Sequence, residues 1–263
     1  MHKFLVRAAS GLVYAAVIIF CIAYGGWALW AMAICFAIIG VCEFDKMAMG
    51  FSRRTLPIYI IDIIGTLSLI CLVVCNYSII LFLVAQIIRL ILSHNIKSKD
   101  PDQRISSSDV MTYLGLPMGL MVFDPMVRLP LLIFVMLWLN DSGAYIVGSL
   151  MGRHKLCPSI SPNKTWEGFF GGIVITILGA FLMFKLCQSF FGMEEYGVGM
   201  WMILAVSTCI FGTLGDLLES KIKRIYGVKD SGHWIPGHGG ILDRIDSFLI
   251  AFPAAFIIML ILN

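Results

Sequence analysis

LPLLIFVMLWLNDSGAYIVGS, running from Leu129 to Ser149, is the stretch whose reading decides the fold. It holds one charged residue, Asp141, in an otherwise almost continuous apolar run. About 20 such residues in a helix cover a hydrocarbon core of about 30 Å. A helix also satisfies its backbone polar groups internally, which lipid demands. The run shows none of the two-residue alternation that a membrane β-barrel strand requires. The whole chain repeats this texture. Of its 263 residues 59% are hydrophobic and 13% charged, with a mean hydropathy of +0.92. Soluble domains carry roughly 25% charged residues. The sequence therefore predicts an all-α polytopic integral membrane protein.

About nine spans follow, at 9–24, 27–42, 57–75, 78–94, 110–124, 129–149, 168–191, 197–217 and 241–262, the fifth being short and interrupted by Pro117. The connecting segments alternate in character. One set carries Lys3 and Arg7; Lys46, Arg53 and Arg54; Lys97, Lys99 and Arg104; Arg153, Lys155 and Lys164; Lys221, Lys223, Arg224 and Lys229. The other set is short and lacks such clusters, from Gly25-Gly26 to Glu194 and Glu195. The positive-inside rule then places the N-terminus in the cytoplasm and the C-terminus outside. The first span reads as retained rather than as a cleaved signal peptide. Residues 1–109 form an N-terminal helical region. Residues 110–263 form a C-terminal region with cytoplasmic loops at 150–167 and 218–240, where a catalytic site is expected. The eight cysteines lack CxxC spacing and lie mostly in apolar spans, so they read as packing residues rather than a zinc site or disulfide framework. Nothing suggests a nucleic-acid partner.

The N-terminal half holds three unusual charges, Asp62, Arg89 and Glu43. An intramembrane charge is a functional hypothesis by default. The simpler expectation is that Arg89 snorkels to the membrane edge and Asp62 pairs with a neighbouring helix. The C-terminal half is richer. In WLNDSGAYIVGSLMGRHKL, Asp141 and Tyr145 lie four residues apart and share a helix face, with Gly148 and Gly152 nearby. In SPNKTWEGFFGG, Thr165 suits a helix N-cap, followed by Trp166 and Glu167, and Lys164 stands just before that helix start. A lysine beside free backbone N–H groups suits phosphate. In the third zone, Gly212 to Ser247, Asp216, Ser220, Lys223 and Arg224 form one helical stripe. Gly227 to Gly240 is a loop containing Lys229 and His238, and Asp243 and Asp246 project from the first turns of the next helix.

Paired carboxylates on adjacent helices are hard oxygen ligands suited to Mg²⁺. Lys223, Arg224, Lys229 and Arg244 can neutralise phosphates. Gly239 and Gly240, beside His238, let backbone amides approach a ligand closely. Acidic metal ligands mixed with basic phosphate ligands at a membrane face point to phosphoryl or nucleotidyl transfer on a lipid. The bland alternative for any one of these charges is an interhelical salt bridge.

Ser220-Lys-Ile-Lys-Arg224, then Lys229-Asp230, then His238-Gly-Gly-Ile-Leu-Asp243-Arg-Ile-Asp246, together with NDSGAY and SPNKTWEG upstream, resembles the signature of the phosphatidate cytidylyltransferases, the CDP-diacylglycerol synthases. The resemblance is strong from Trp138 to Ser247; Asn163 stands where the family pattern suggests a lysine. It implies a bacterial-type enzyme of the inner membrane with its site facing the cytoplasm. It implies CTP and phosphatidic acid as substrates, CDP-diacylglycerol and pyrophosphate as products, membrane lipid as surroundings and a homodimer as assembly. It implies Mg²⁺ and a second cation such as K⁺. By resemblance Asp216, Asp243 and Asp246 are the metal carboxylates, and Lys223, Arg224, Lys229 and Arg244 hold phosphates. Ser220 and His238 support them, and Asp141, Tyr145, Lys164 and Glu167 line or shape the cavity. Two rivals remain from the residues alone. One is a CTP-dependent lipid kinase, which would transfer the γ-phosphoryl group. The other is a membrane transporter, which would need its charges along a midplane path rather than gathered at one end. An intramembrane aspartyl protease fits poorly, because Thr213 replaces the glycine such a motif needs.

Overall fold

The computed structural model describes residues 2–49, 56–75, 107–123, 128–234 and 239–262. The predicted span 78–94 with Arg89, the basic residues Arg53, Arg54, Lys97, Lys99 and Arg104, and His238 lie outside them. The long helices are α1 (His2–Tyr24), α2 (Gly26–Met49), α3 (Leu56–Cys75), α4 (Ser107–Phe123), α5 (Leu129–Met151), α6 (Trp166–Leu186), α8 (Val198–Ile225) and α9 (Leu242–Leu262), with a one-turn α7 (Gln188–Phe191) after α6. Among the described residues, five helices are long and apolar enough to cross a membrane: Gly26–Met47 of α2, and α5, α6, α8 and α9. This is the architecture of an integral membrane protein.

Three local features depart from the sequence expectation. Residues 150–167 are not simply a loop: β1 (Lys155–Cys157) pairs antiparallel with β2 (Ser161–Thr165), Lys155 opposite Thr165 and Cys157 opposite Ser161. In a two-stranded ribbon Pro162 can occupy an unpaired edge, so the Ser161-Pro162 turn signal did not exclude a strand. The seventh span stops at Leu186, where Cys187 leaves helical geometry (φ −133°, ψ 17°) before α7. The eighth continues beyond residue 217 to Ile225, giving α8 28 residues, a rod of about 42 Å at 1.5 Å per residue.

α9 lies at the centre, with 61% of its apolar window buried, whereas α6 is peripheral at 17%. α9 packs mainly on α8 and α4, and α5 packs mainly on α6. Aromatic stacking joins α5 to α9, with Phe134 and Phe248 ring centroids 4.1 Å apart and Phe248 to Phe252 4.9 Å. Two small-residue contacts set helix spacing. A Cβ at Gly168 would lie 2.8 Å from the Ala144 carbonyl oxygen, so α6 meets α5 backbone to backbone. A Cβ at Gly215 would lie 2.6 Å from the Asp246 carbonyl oxygen and 3.0 Å from Ser247 Cα. α8 and α9 are therefore held in contact at the level of their charged residues.

Candidate active site

The last turns of α8 and the first turns of α9 converge. From α8, Lys223 extends its Nζ to 2.5 Å from Glu219 Oε2 and 2.7 Å from Asp243 Oδ1 on α9. Glu219 is wholly buried and Lys223 nearly so. One cation between two carboxylates leaves this trio formally anionic. The second Asp243 oxygen accepts hydrogen bonds from Ser231 N (3.0 Å) and Gly240 N (2.9 Å). Gly239 takes φ +86°, and a Cβ there would stand 2.7 Å from Asp243 Oδ2. That position requires glycine on both conformational and steric grounds.

One turn back along α8, Asp216 Oδ1 accepts from Ser220 Oγ at 3.1 Å, and Oδ2 pairs with Lys164 of β2 at 2.5 Å. The hairpin thus delivers a lysine to the α8–α9 junction. Its base is fixed by two devices. Thr165 caps α6, its hydroxyl accepting from Gly168 N at 3.1 Å. Glu167 accepts from the backbone N–H groups of Arg153 (3.1 Å) and His154 (3.2 Å and 3.1 Å) and meets His154 Nδ1 at 2.5 Å. Glu167 therefore works as a staple of the hairpin.

A cavity of about 170 Å³ opens beside this junction. Phe134, Leu137 and Trp138 of α5 and Tyr14 of α1 give it an apolar wall; Asp141, Asp243, Arg244, Asp246 and Ser247 give it a polar one. Asp246 is buried, accepts from Ser247 N at 2.5 Å, and lies within electrostatic reach of Asp216 and Glu219. The Tyr14 hydroxyl donates to the Arg244 carbonyl at 3.1 Å, joining the N-terminal helix to the site. Tyr145 is 77% exposed and lies apart from this lining, although it is four residues from Asp141. Arg224 donates to the Val228 carbonyl at 3.2 Å and closes the end of α8; Lys229 is exposed in the loop that follows.

Two residues at the junction were given no role in the sequence reading. Glu219 could have been found by its i, i+4 spacing to Lys223. Glu43 of α2 stood out as a charge in an apolar stretch, but its partners lie nearly two hundred residues away. Its Oε1 accepts from Ile241 N (3.0 Å), and its Oε2 from Leu242 N (2.8 Å) and Ser231 Oγ (3.2 Å).

Among the described residues, no three His, Cys, Asp or Glu side chains form a ready metal cage. Mg²⁺ does not need one, since one or two carboxylates plus substrate phosphates commonly hold it. Asp216 and Asp246 are carboxylates on facing helices, the kind of donor such a site uses, and Asp216 would have to release Lys164 to bind a cation. Asp243 has both oxygens engaged by N–H and Nζ donors and would have to release Lys223 to join them.

A bundle of apolar helices with carboxylates and an arginine on one wall of an amphipathic cavity defines an integral membrane protein with a charged site at the α8–α9 junction. The sequence model of the "Cytidylyltransferase family" matches residues 5–262, and the chain belongs to that family. It is 44% identical over 183 residues to a phosphatidate cytidylyltransferase of Staphylococcus epidermidis, covering 65% of this chain and 66% of that one. It is 50% identical over 129 residues to the Staphylococcus haemolyticus protein of the same name, covering 48% and 47%. The corresponding Staphylococcus aureus protein is 47% identical over 129 residues, with the same coverage. The chain therefore spans just under two thirds of the first relative and about half of the other two.

Proposed function

We propose that the protein transfers the cytidylyl group of CTP to phosphatidic acid, giving CDP-diacylglycerol and pyrophosphate. The observation that carries this reading is the cavity with one apolar and one charged wall at the α8–α9 junction, in a chain of the cytidylyltransferase family. A lipid phosphate needs both walls, one for the start of its acyl chains and one for its head group. A phosphate oxygen of phosphatidic acid forms a bond to the α-phosphorus of CTP, and the bond from that phosphorus to the α,β-bridging oxygen breaks. The electron pair leaves with pyrophosphate. The nucleophile is already anionic, so no strong base is needed. The protein has to orient two polyanions and offset their repulsion.

Lys164, Lys223 and Arg244 are the cations nearest the junction. Lys164 and Lys223 rest on Asp216, Glu219 and Asp243. Incoming phosphates would compete for them. Mg²⁺, held by Asp216 and Asp246, would supply charge neutralisation at the α-phosphate. The orientation that fits is a cytoplasmic site in the bacterial inner membrane, since CTP is a cytosolic nucleotide. Labelling of a cysteine introduced at Val228 from the outer side would contradict that orientation.

The deciding experiment uses detergent-purified protein, phosphatidic acid, Mg²⁺ and CTP labelled separately at the α and γ positions, with Asp243→Asn as control. α-Label in the lipid and release of pyrophosphate, both lost in Asp243→Asn, are expected. γ-Label in the lipid would make the protein a kinase. No transfer from folded protein would favour transport.

A further inference from the structure

We infer that Glu43 is a positioning residue for the transfer reaction: from the N-terminal half of the chain it holds the start of α9, and with it Asp243, Arg244 and Asp246, in register with α8. The inference rests on the activity proposed above.

The first N–H groups of a helix have no partner inside it. They are normally met by a side chain one to three residues away. At the start of α9 the N–H groups of Ile241, just before the helix, and Leu242, its first residue, are met by Glu43, 198 and 199 residues earlier in the chain. A carboxylate there also complements the positive end of the helix. Glu43 is fully buried. A buried charge is tolerable only when donors surround it, and the Ser231 hydroxyl supplies the third.

The loop is shaped to this carboxylate. A Cβ on Gly232 would come within 3.0 Å of three Glu43 side-chain atoms, and one on Gly240 would overlap Ser231 Oγ and both Glu43 oxygens. Glu43 and Asp243 grip the same two points of the loop from opposite sides. Ser231 gives its N–H to Asp243 and its hydroxyl to Glu43. Gly240 gives its N–H to Asp243, and the next two residues give theirs to Glu43. Glu43 does not line the cavity that Asp141 and Asp246 face. It edges a separate cavity on the loop side with Lys46, Val228 and Ser231, and its three hydrogen bonds go to the loop and the start of α9, so we assign it a positioning role.

The test is Glu43→Gln. It keeps side-chain size but turns an amide NH₂ toward a backbone N–H, of Ile241 or of Leu242, donor against donor. A displaced carboxylate pair lowers turnover more than substrate affinity, because small misplacements of reacting groups cost about 10- to 100-fold in rate. We expect kcat for α-label transfer to fall by that factor, with KM for CTP and phosphatidic acid within about 3-fold. Hydrogen exchange at Ile241 and Leu242 should accelerate while α5 and α6 stay protected. Gly232→Ala, which crowds Glu43 without changing any charge, should give a weaker version of both effects and serves if Glu43→Gln does not fold. Unchanged protection at Ile241 and Leu242 would overturn the cap. Lost protection with kcat kept within 2-fold, or a KM rise that accounts for the whole loss, would overturn the positioning role. Absence of α-label transfer in the unmodified protein would instead refute the proposed reaction, leaving exchange to judge the cap alone.

Discussion

Alanine at Gly215 should disable the site without touching a charged group. Gly215 lies where α8 crosses α9. An added Cβ would stand 2.6 Å from the Asp246 carbonyl oxygen and 3.0 Å from Ser247 Cα, both backbone atoms of α9, while ordinary contact starts at 3.4 Å. Backbone cannot rotate aside as a side chain can, so α9 must retreat by about 0.8 Å at Asp246, a displacement near the 1 Å that can cost 10²-fold in rate. The expected loss in kcat is about 30- to 100-fold, or about 2 to 2.7 kcal/mol. Stability should change less. Overpacking costs about 1 to 3 kcal/mol, while replacing a helical glycine by alanine returns up to about 1 kcal/mol. The control is Gly212→Ala, one turn earlier, whose Cβ would meet chiefly the tip of the flexible Leu137 side chain. Both variants would be assayed for α-label transfer to phosphatidic acid and for thermal unfolding in the same detergent. Gly215→Ala with kcat within 3-fold of the parent, or Gly212→Ala losing as much as Gly215→Ala, would refute the claim that α8–α9 spacing sets the geometry.

Three further outcomes follow from the same contacts. Lys223→Ala removes the one cation shared by Glu219 and Asp243; leaving buried charges uncompensated costs about 3 to 5 kcal/mol, read as a large drop in unfolding midpoint. Thr165→Val keeps the shape of the α6 cap but loses the 3.1 Å bond from Gly168 N, and thermal unfolding should register about 1 kcal/mol. Gly239→Ala forces an L residue to φ +86° and a methyl to 2.7 Å from Asp243 Oδ2. The backbone cost alone is about 1 to 2 kcal/mol, and transfer activity should fall with it.

Local signals were readable wherever the cause was local. The Thr165 cap and the α8 stripe from Asp216 to Arg224 follow from local spacing and have counterparts among the described helices, as do the apolar runs other than 78–94. The meeting of Lys223 with Asp243 was foreshadowed only as a cluster of opposite charges. The sequence could not say that Lys164 would reach Asp216, because that contact depends on a five-residue strand with a proline in it. Tyr145 shows a limit of spacing alone. Spacing of four residues put it on the face of Asp141, but the face is wider than the cavity and Tyr145 lies outside the lining. Glu43 was visible as an oddity and opaque as to purpose. No periodicity links a residue in α2 to amides that follow it by two hundred positions; only the packed bundle does.

The length of α8 has a consequence beyond its packing. Its 28 residues make a rod of about 42 Å, about 12 Å more than a typical hydrocarbon core. Two turns are left over, about the distance from Asp216 to Arg224. The groups that would do the chemistry thus stand on a stalk whose height above the oil is fixed by the thickness of the surrounding bilayer. A thicker bilayer would draw the stalk down or straighten its tilt, and a thinner one would lift it.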